Sequence, residues 1–405
     1  MSKLSKELSF FDIYLFSIGY IIGAGIFVLI GKVNKYAKSL SWLSFVLSGI
    51  FALIVATTYV DVNTLYATNH SDYTFVLNTF GEIPAVITVL VLMGIGIFTN
   101  STVALSIGNL LSPLISLSPI VISIGLILLF TGINCIGIKE SSLYNHLSTF
   151  AEIIALLIIC VTGIFFYKSK PSKHNLSNVK IPDLIYSSIL AMFVYSGFEG
   201  TVKLTEEAKN PDDIPKAIIA SVVSATILYV IVAYTIIKCC NTKSLYESSI
   251  PIVSLADMFF GSNISKIFYF ITFLSISNTL LISILGTSRI LHSIAAEYSI
   301  LKLFNKVDPT HKTPIYATIC VAVFSIIMLL FKDVEVLASI TSYLMFMIFC
   351  ILNICLIHVY DNEEIQSKLK KNWTYTINQG KPILPIMGLC ISLGMLGFGA
   401  YHHLG

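Results

Sequence analysis

Long apolar runs, repeated along the whole chain, constrain this sequence more than any other feature. A helix needs about 20 mostly apolar residues to cross ~30 Å of hydrocarbon, and about eleven such runs occur here, joined by polar stretches. Only 12% of the 405 residues are charged, about half the proportion found in soluble domains. A water-exposed surface of that composition would be too apolar to stay dispersed. The chain is therefore predicted to be an all-α polytopic membrane protein with a single transmembrane domain over residues 1–405.

The predicted spans follow from the positions of the apolar runs. They cover residues 11–31, 41–62, 83–111, 119–137, 147–167, 183–205, 214–238, 264–294, 313–331, 335–359 and 382–402. The first run is long and lacks a small-residue cleavage site, so we interpret it as a span and not as a signal peptide. A small excess of basic residues on the side of the N-terminus favours a cytoplasmic N-terminus. We expect a multi-pass protein of the plasma membrane.

Two of the predicted spans carry closely spaced glycines near their middle. The first contains Gly23 and Gly25, and the sixth contains Gly197 and Gly200. Glycine lets the backbone leave helical geometry, which hydrocarbon tolerates only where the freed N–H and C=O groups line a cavity. Four intact spans separate the two, so each glycine pair opens a set of five helices. Interrupted helices at matching positions are typical of transporter binding sites, although each pair alone could also serve close helix packing.

The residues around these glycines resemble a known family. The segment Ile22-Gly23-Ala24-Gly25-Ile26-Phe27, after Leu8-Ser9-Phe10-Phe11-Asp12, is similar to the first-helix break of permeases of the amino acid–polyamine–organocation (APC) superfamily. The most specific match is Ser196-Gly197-Phe198-Glu199, followed by Glu206-Glu207-Ala208-Lys209-Asn210-Pro211. A third match is Ser288-Arg289-Ile290-Leu291. The resemblance covers roughly residues 8–360.

This resemblance implies a LeuT-type fold, in which two inverted repeats of five helices have broken helices 1 and 6. The first repeat would cover about residues 8–167 and the second about 183–360, with an extra C-terminal helix at about 382–402. The family usually has twelve spans, and the turn after its second span is often Pro-Gly-Gly, where this chain has Ala67-Thr68-Asn69-His70. These departures leave open an alternative function, an amino-acid sensor that binds its ligand without transporting it.

The chemistry of an amino acid substrate suggests which residues bind it. Its carboxylate needs donors, which the backbone N–H groups at the start of a half-helix supply. Its ammonium group needs acceptors, which the carbonyl oxygens of unwound backbone offer, and Phe198 could cover the pocket. The predicted substrate site comprises the residues of both breaks: Ile22, Gly23, Ala24, Gly25, Ile26, Phe193, Ser196, Gly197 and Phe198.

Two carboxylates lie in the most apolar surroundings, Glu152 and Glu199. An ionisable residue within the membrane is a functional candidate. Some members of the APC superfamily place a lysine near the position of Glu152, standing in for a sodium ion, so a glutamate there is consistent with proton or cation coupling. The alternative is that Glu152 lies near a helix end and reaches water. Ser277 and Asn278 could add cation ligands or interhelical hydrogen bonds, which completes the predicted coupling and gating set.

Other classes of function leave no signature in the sequence. It contains no Gly-Lys-Ser/Thr phosphate loop, no basic stripe for nucleic acid and no metal-ligand spacing among its eight cysteines. We therefore predict no enzymatic activity, cofactor, metal or nucleic acid. The expected partners are the lipid bilayer, an amino acid or polyamine, and a coupling ion, either proton or sodium. The favoured function is a secondary transporter that works by alternating access, as a proton-coupled symporter or an exchanger.

Overall fold

The computed structural model describes residues 8–68, 70–136, 141–167, 179–205, 208–239, 248, 250–311, 313–370 and 373–404. The α-helices, numbered in chain order, are α1 (Phe10–Ala37), α2 (Ser41–Leu65), α3 (Ser71–Phe80), α4 (Glu82–Ile115), α5 (Pro119–Ile136), α6 (Ser141–Val161), α7 (Ile181–Val194), α8 (Asp213–Cys239), α9 (Pro251–Phe260), α10 (Ser262–Ile294), α11 (Ile315–Met328), α12 (Val334–Val359), α13 (Glu363–Leu369), α14 (Trp373–Asn378) and α15 (Ile383–Leu404). Glu206 and Glu207 of the family motif lie outside the described residues.

The predicted membrane architecture is confirmed. Within the described chain, nine segments are long and apolar enough to cross a bilayer. One of them contains two helices, because it runs from Gly25 through the end of α2, and the shorter apolar segment Ile315–Phe331 matches a further predicted span. A helix therefore lies at every predicted span, and the chain is an all-α polytopic membrane protein.

The sequence pattern missed four short helices between the spans, namely α3, α9, α13 and α14. Each has ten residues or fewer, which is too short to cross hydrocarbon, so the search for apolar runs could not find them. Local signals do explain two of their starts. Pro251 stands in the first turn of α9, and Asn362 caps α13 by accepting hydrogen bonds from two backbone N–H groups.

Both predicted helix breaks are present. In α1, Gly23 has non-helical torsion angles (φ −2°, ψ −121°). The second break begins where α7 ends at Val194, and Gly197 adopts a φ of +124°, a conformation that favours glycine. A 3₁₀ helix, Phe198–Leu204, then continues the span. The two glycine-containing segments are thus interruptions of the helical backbone and not only packing surfaces.

Chain direction assigns the helix ends to the two sides of the membrane. Because the spans alternate, α1 begins on the same side on which α2 and α10 end, here called the N-side; the other side is called the far side. A capping box formed by Ser9 and Asp12 fixes the start of α1. Next to it, the backbone of Leu8 pairs with Ala208 and accepts a hydrogen bond from the Lys209 N–H at 2.9 Å. The N-side ends of the two interrupted spans are therefore joined through their backbones.

Candidate functional site

The two helix breaks lie against each other in the middle of the protein. A Cβ atom placed on Gly25 would lie 2.7 Å from Val194 Cα, and one placed on Gly197 would lie 2.9 Å from the Tyr20 carbonyl group. Real Cβ atoms essentially never approach other atoms this closely, so only glycine allows the two backbones to meet in this way. The glycines that marked the breaks in the sequence thus also set the distance between them.

Tyr229 on α8 connects the two breaks. Its buried hydroxyl group lies 2.8 Å from the Ile21 carbonyl oxygen and 3.1 Å from the Val194 carbonyl oxygen, and can donate its proton to either. Backbone carbonyls without a partner are costly in hydrocarbon. One side chain therefore offers its proton to a backbone carbonyl oxygen beside either interruption.

A small central cavity of about 40 Å³ lies beside the two breaks. Its lining residues come from α1, α4, the second break and α10: Tyr20, Ile21, Gly25, Leu92, Ile95, Gly96, Thr99, Val103, Phe193, Ser196, Glu199, Thr279, Ser283, Thr287 and Ile290. In this conformation the cavity has room for a few water molecules. A bound metabolite requires the surrounding helices to move apart.

A second cavity adjoins the central cavity on the N-side. A larger space of about 270 Å³, here called the N-side vestibule, shares Tyr20, Leu92, Glu199 and Ile290 with the central cavity. The vestibule also contains charged and titratable side chains: His70, Asp72, Arg289 and His292. A third space of about 550 Å³, the far-side vestibule, shares no lining residue with the central cavity. Among the described residues, the central cavity thus adjoins the N-side vestibule and is separated from the far-side vestibule.

Glu199 lies where the central cavity meets the N-side vestibule and lines both. Its Oε2 atom accepts a hydrogen bond from the Gly197 N–H at 2.9 Å. The 3₁₀ geometry after the second break thus orients the carboxyl group. This residue, predicted from the sequence as a coupling or gating group, stands on the path between the two spaces.

Glu152 occupies a different position, behind the first break. It is fully buried in α6. Glu152 therefore does not reach water, whereas the alternative interpretation of the sequence required that it does. Ser275 on α10 contacts Glu152 Oε2 and also lies 3.0 Å from the Gly23 carbonyl oxygen. Glu152 Oε1 has no hydrogen-bond partner among the described residues. A carboxyl group, a hydroxyl group and a carbonyl oxygen of unwound backbone thus meet at one point.

The other predicted coupling residues, Asn278 and Ser277, form hydrogen bonds with a neighbouring helix and within their own helix, respectively. The Asn278 amide donates to Asn145 Oδ1 on α6 at 2.8 Å, and the Ser277 hydroxyl donates to the Leu274 carbonyl of its own helix at 2.9 Å. In an α-helix, residues four apart share a face. Ser275 and Thr279, which are four apart, therefore face the first break, and Ser277 does not.

The predicted substrate residues divide into two groups. Gly25, Phe193 and Ser196 line the central cavity, whereas Ile22 and Ile26 are buried outside its lining. Ala24 follows Gly23 in the backbone of α1, and its side chain lies outside the described part.

Phe198, predicted as a cover for the pocket, packs elsewhere. Its ring lies 5.6 Å from that of Tyr59 and 6.2 Å from that of Phe349, centroid to centroid, in a buried aromatic cluster. It lines neither the central cavity nor the N-side vestibule.

Several residues of the site were not found from the sequence. They are tyrosines and hydroxyl residues within otherwise apolar helices: Tyr20, Thr99, Tyr229, Ser275, Thr279, Ser283 and Thr287. Such residues occur at many other positions in this chain, so their type alone carries no signal. The spacing of Ser275 and Thr279 on one helical face is the only local pattern that could have indicated a role.

Two interrupted helices that face each other beside a central cavity define a class of membrane protein, the transporters with discontinuous helices. The amino acid permease family profile matches residues 8–401. The chain therefore belongs to the amino acid permease family, and it is placed among permeases and not among enzymes.

Individual relatives agree with this assignment. The chain is 29% identical to the branched-chain amino acid permease of Bacillus subtilis, over 78% of this chain and 72% of that protein. It is 26% identical to the mitochondrial cationic amino acid transporter 3 of Arabidopsis thaliana, over 84% of this chain but only 60% of that protein. It is also 27% identical to the methylthioribose transporter of Bacillus subtilis, over 77% of this chain and 72% of that protein.

Proposed function

We propose that this protein is a secondary transporter that moves amino acids or related amines by alternating access. The observation that carries the proposal is the arrangement of its spaces. In the described part of the chain, the central cavity beside the two breaks shares four lining residues with the N-side vestibule and none with the far-side vestibule. A transporter that exposes one site alternately to two sides needs a conformation of this kind.

The proposed substrate site is the part of the breaks that lines the central cavity. The backbone at Gly25 lies at the start of the second half of α1, where free N–H groups attract a carboxylate. Backbone around Phe193 and Ser196 supplies carbonyl oxygens for an ammonium group. The named substrates of the relatives are branched-chain amino acids, cationic amino acids and methylthioribose, a sugar without an amino group. Two of the three are amino acids, so we propose the class of amino acids and related amines and no particular side chain.

We further propose that Glu152 carries the coupling proton. The Ser275 hydroxyl has one proton and two neighbours, the Gly23 carbonyl oxygen and Glu152 Oε2. When the Ser275 hydroxyl donates its proton to the Gly23 carbonyl oxygen, it cannot also donate to Glu152. The contact between Ser275 and Glu152 Oε2 is then a hydrogen bond only when Glu152 is protonated and donates to Ser275. Burial also disfavours the charged form of a carboxyl group. A sodium ion held by the same oxygen atoms is the competing assignment.

The proposed location is the plasma membrane with the N-terminus in the cytoplasm, so that the N-side vestibule faces the cytoplasm. The excess of basic residues on that side supports this orientation.

Uptake by purified protein in liposomes tests the proposed function. A radiolabelled neutral amino acid and a radiolabelled cationic amino acid serve as substrates, and unlabelled amino acids and polyamines compete. An imposed pH gradient and an imposed sodium gradient are compared. We expect uptake that follows the proton gradient and is blocked by the transported substrate. Saturable binding without flux under either gradient would instead identify a sensor.

A further inference from the structure

A polar network with a mostly buried centre links three helices on the far side of the protein. Its centre is Glu335 in the first turn of α12, whose side chain is 12% exposed. Lys32 on α1 forms an ion pair with Glu335 Oε2 at 3.2 Å. Tyr36, one turn further along α1, donates its hydroxyl proton to Oε1. Tyr186 on α7 donates to the same oxygen at 3.3 Å.

The network joins three helices that an opening of the far side would have to separate. Lys32 and Tyr36 lie on the second half of α1, after its break, and Tyr186 lies before the second break. Glu335 belongs to α12, which packs along α4 and α15. The far-side halves of both interrupted helices are therefore tied to one carboxylate on a continuous helix.

Aromatic packing and helix capping hold the network in place. The rings of Tyr36 and Tyr186 meet edge to face, with centroids 4.9 Å apart. The Glu335 N–H donates to Asp333 Oδ1 at 2.7 Å, which caps α12. Toward the centre of the protein, the buried side chains of Ile26 and Phe27 follow on α1. The polar network thus closes the far side above an apolar layer.

We propose that Lys32, Tyr36, Tyr186 and Glu335 form the far-side gate of this protein. The proposal rests on the alternating-access function proposed above. With the four groups in contact, the central cavity shares residues with the N-side vestibule alone. Opening toward the far side breaks the contacts with Glu335, which lets the far-side half of α1 move away from α12.

Chemical labelling of a cysteine behind the gate tests this role. Val103→Cys places the reporter in the central cavity, where the parent residue is fully buried. Leu285→Cys places a second reporter in the N-side vestibule. A membrane-impermeant maleimide is applied to each face separately, in intact cells and in inverted vesicles, and background labelling is taken from protein without the added cysteine. The face from which Leu285→Cys reacts identifies the N-side.

Glu335→Gln removes the charge that Lys32 pairs with and keeps the size of the side chain. We expect far-face labelling of Val103→Cys to rise about tenfold, which corresponds to the loss of one charged hydrogen bond, and labelling from the N-side to fall. The exchange Lys32→Glu with Glu335→Lys should restore the parental rates, whereas either single reversal should raise far-face labelling. Glu364→Gln is the matched control, because Glu364 pairs with Lys368 at 2.9 Å on the surface.

A polar network that only stabilises the fold, without a gating role, predicts a different result. Far-face labelling would then be unchanged in Glu335→Gln, or the charge exchange would fail to restore it, and either outcome overturns the proposal. If Glu335→Gln does not fold, Tyr186→Phe removes one contact without changing charge and must raise far-face labelling for the gate to stand. Labelling needs no substrate, so an absence of transport would count against the proposed function and leave the gate to be decided separately.

Discussion

The hydroxyl group of Tyr229 lies 2.8 Å from the carbonyl oxygen of Ile21, two residues before the break in α1. The same hydroxyl lies 3.1 Å from the carbonyl oxygen of Val194, the last residue of α7. The two interruptions are thus held together by a side chain from a third, continuous helix. A movement that carries the two breaks far apart must break one of these contacts.

Removal of that hydroxyl tests its contribution. Tyr229→Phe should lower the free energy of unfolding by about 1 kcal/mol, because interhelical hydrogen bonds in membranes have modest net values. Substrate affinity should fall by about tenfold if the contact also sets the geometry of the breaks. Thermal unfolding and equilibrium binding on purified protein measure the two effects. Tyr234→Phe, on the exposed face of the same helix, should change neither, and equal effects in both variants would contradict the prediction.

Side chains added at the first break should abolish binding. In Gly25→Val the new Cβ would lie 2.7 Å from Val194 Cα, a backbone atom that no rotamer change can move. Gly23→Val meets the Thr279 hydroxyl instead, at 2.0 Å. Both proteins should still reach the membrane, and calorimetric titration with the transported substrate should show no binding.

The control for these variants is Gly125→Val on α5, where an added Cβ has no neighbour within 4 Å. Its affinity should match that of the parent protein. An unchanged affinity in Gly25→Val would place the substrate site elsewhere.

Glu152→Gln should separate proton coupling from exchange. The amide keeps the shape of the side chain and can still contact Ser275, but it cannot release a proton. Uptake driven by a pH gradient should therefore lose its pH dependence, whereas exchange of internal for external substrate should continue because it moves no net proton. Initial rates in liposomes from pH 5 to pH 8 provide the measurement. A pH profile identical to that of the parent would make Glu152 structural and leave Glu199 or sodium as the coupling group.

The segment between α12 and α15 should contribute to stability through a buried contact. The Thr374 hydroxyl on α14 donates to Asp61 on α2, and both residues are almost completely buried. Thr374→Val should lower the free energy of unfolding by about 1–3 kcal/mol, since it leaves a buried acceptor without this hydrogen bond. Thermal unfolding in detergent measures the change. Thr74→Val, whose exposed hydroxyl bonds to the nearby His70 carbonyl oxygen just before α3, should have little effect, and a small effect at Thr374 would show that α14 is held by other contacts.

Much of the fold could be predicted because hydrocarbon imposes a simple rule on the sequence. Crossing segments must be long and apolar, so every predicted span coincides with a helix. The glycine pairs were equally informative, since Gly23 and Gly197 show the backbone geometry that they predicted. The symmetry between the two repeats remains a prediction.

The site was harder to predict, because its polar groups are common residues in uncommon positions. Glu152 was noticeable in the sequence as an acid in an apolar run. Its partner Ser275 could not be identified there, because the contact between them depends on how α10 packs beside α1. Ser277, the serine chosen from the sequence, lies on another face of the same helix. Phe198 belongs to a specific motif and nonetheless packs into an aromatic cluster away from the cavity. Motif membership indicates that a segment matters, whereas packing decides which atoms face the substrate.

The glycines of the site should follow two different evolutionary patterns. A Cβ on Gly25 or Gly197 would approach backbone atoms, which no substitution elsewhere can make smaller. A Cβ on Gly96, by contrast, would have the side chain of Thr287 as its nearest neighbour, at 1.9 Å from its hydroxyl oxygen. Among homologues, the first two positions should therefore remain glycine whatever the substrate. Positions 96 and 287 should instead vary together, a larger residue at one accompanying a smaller residue at the other, and thereby reshape the central cavity while the helix breaks stay intact.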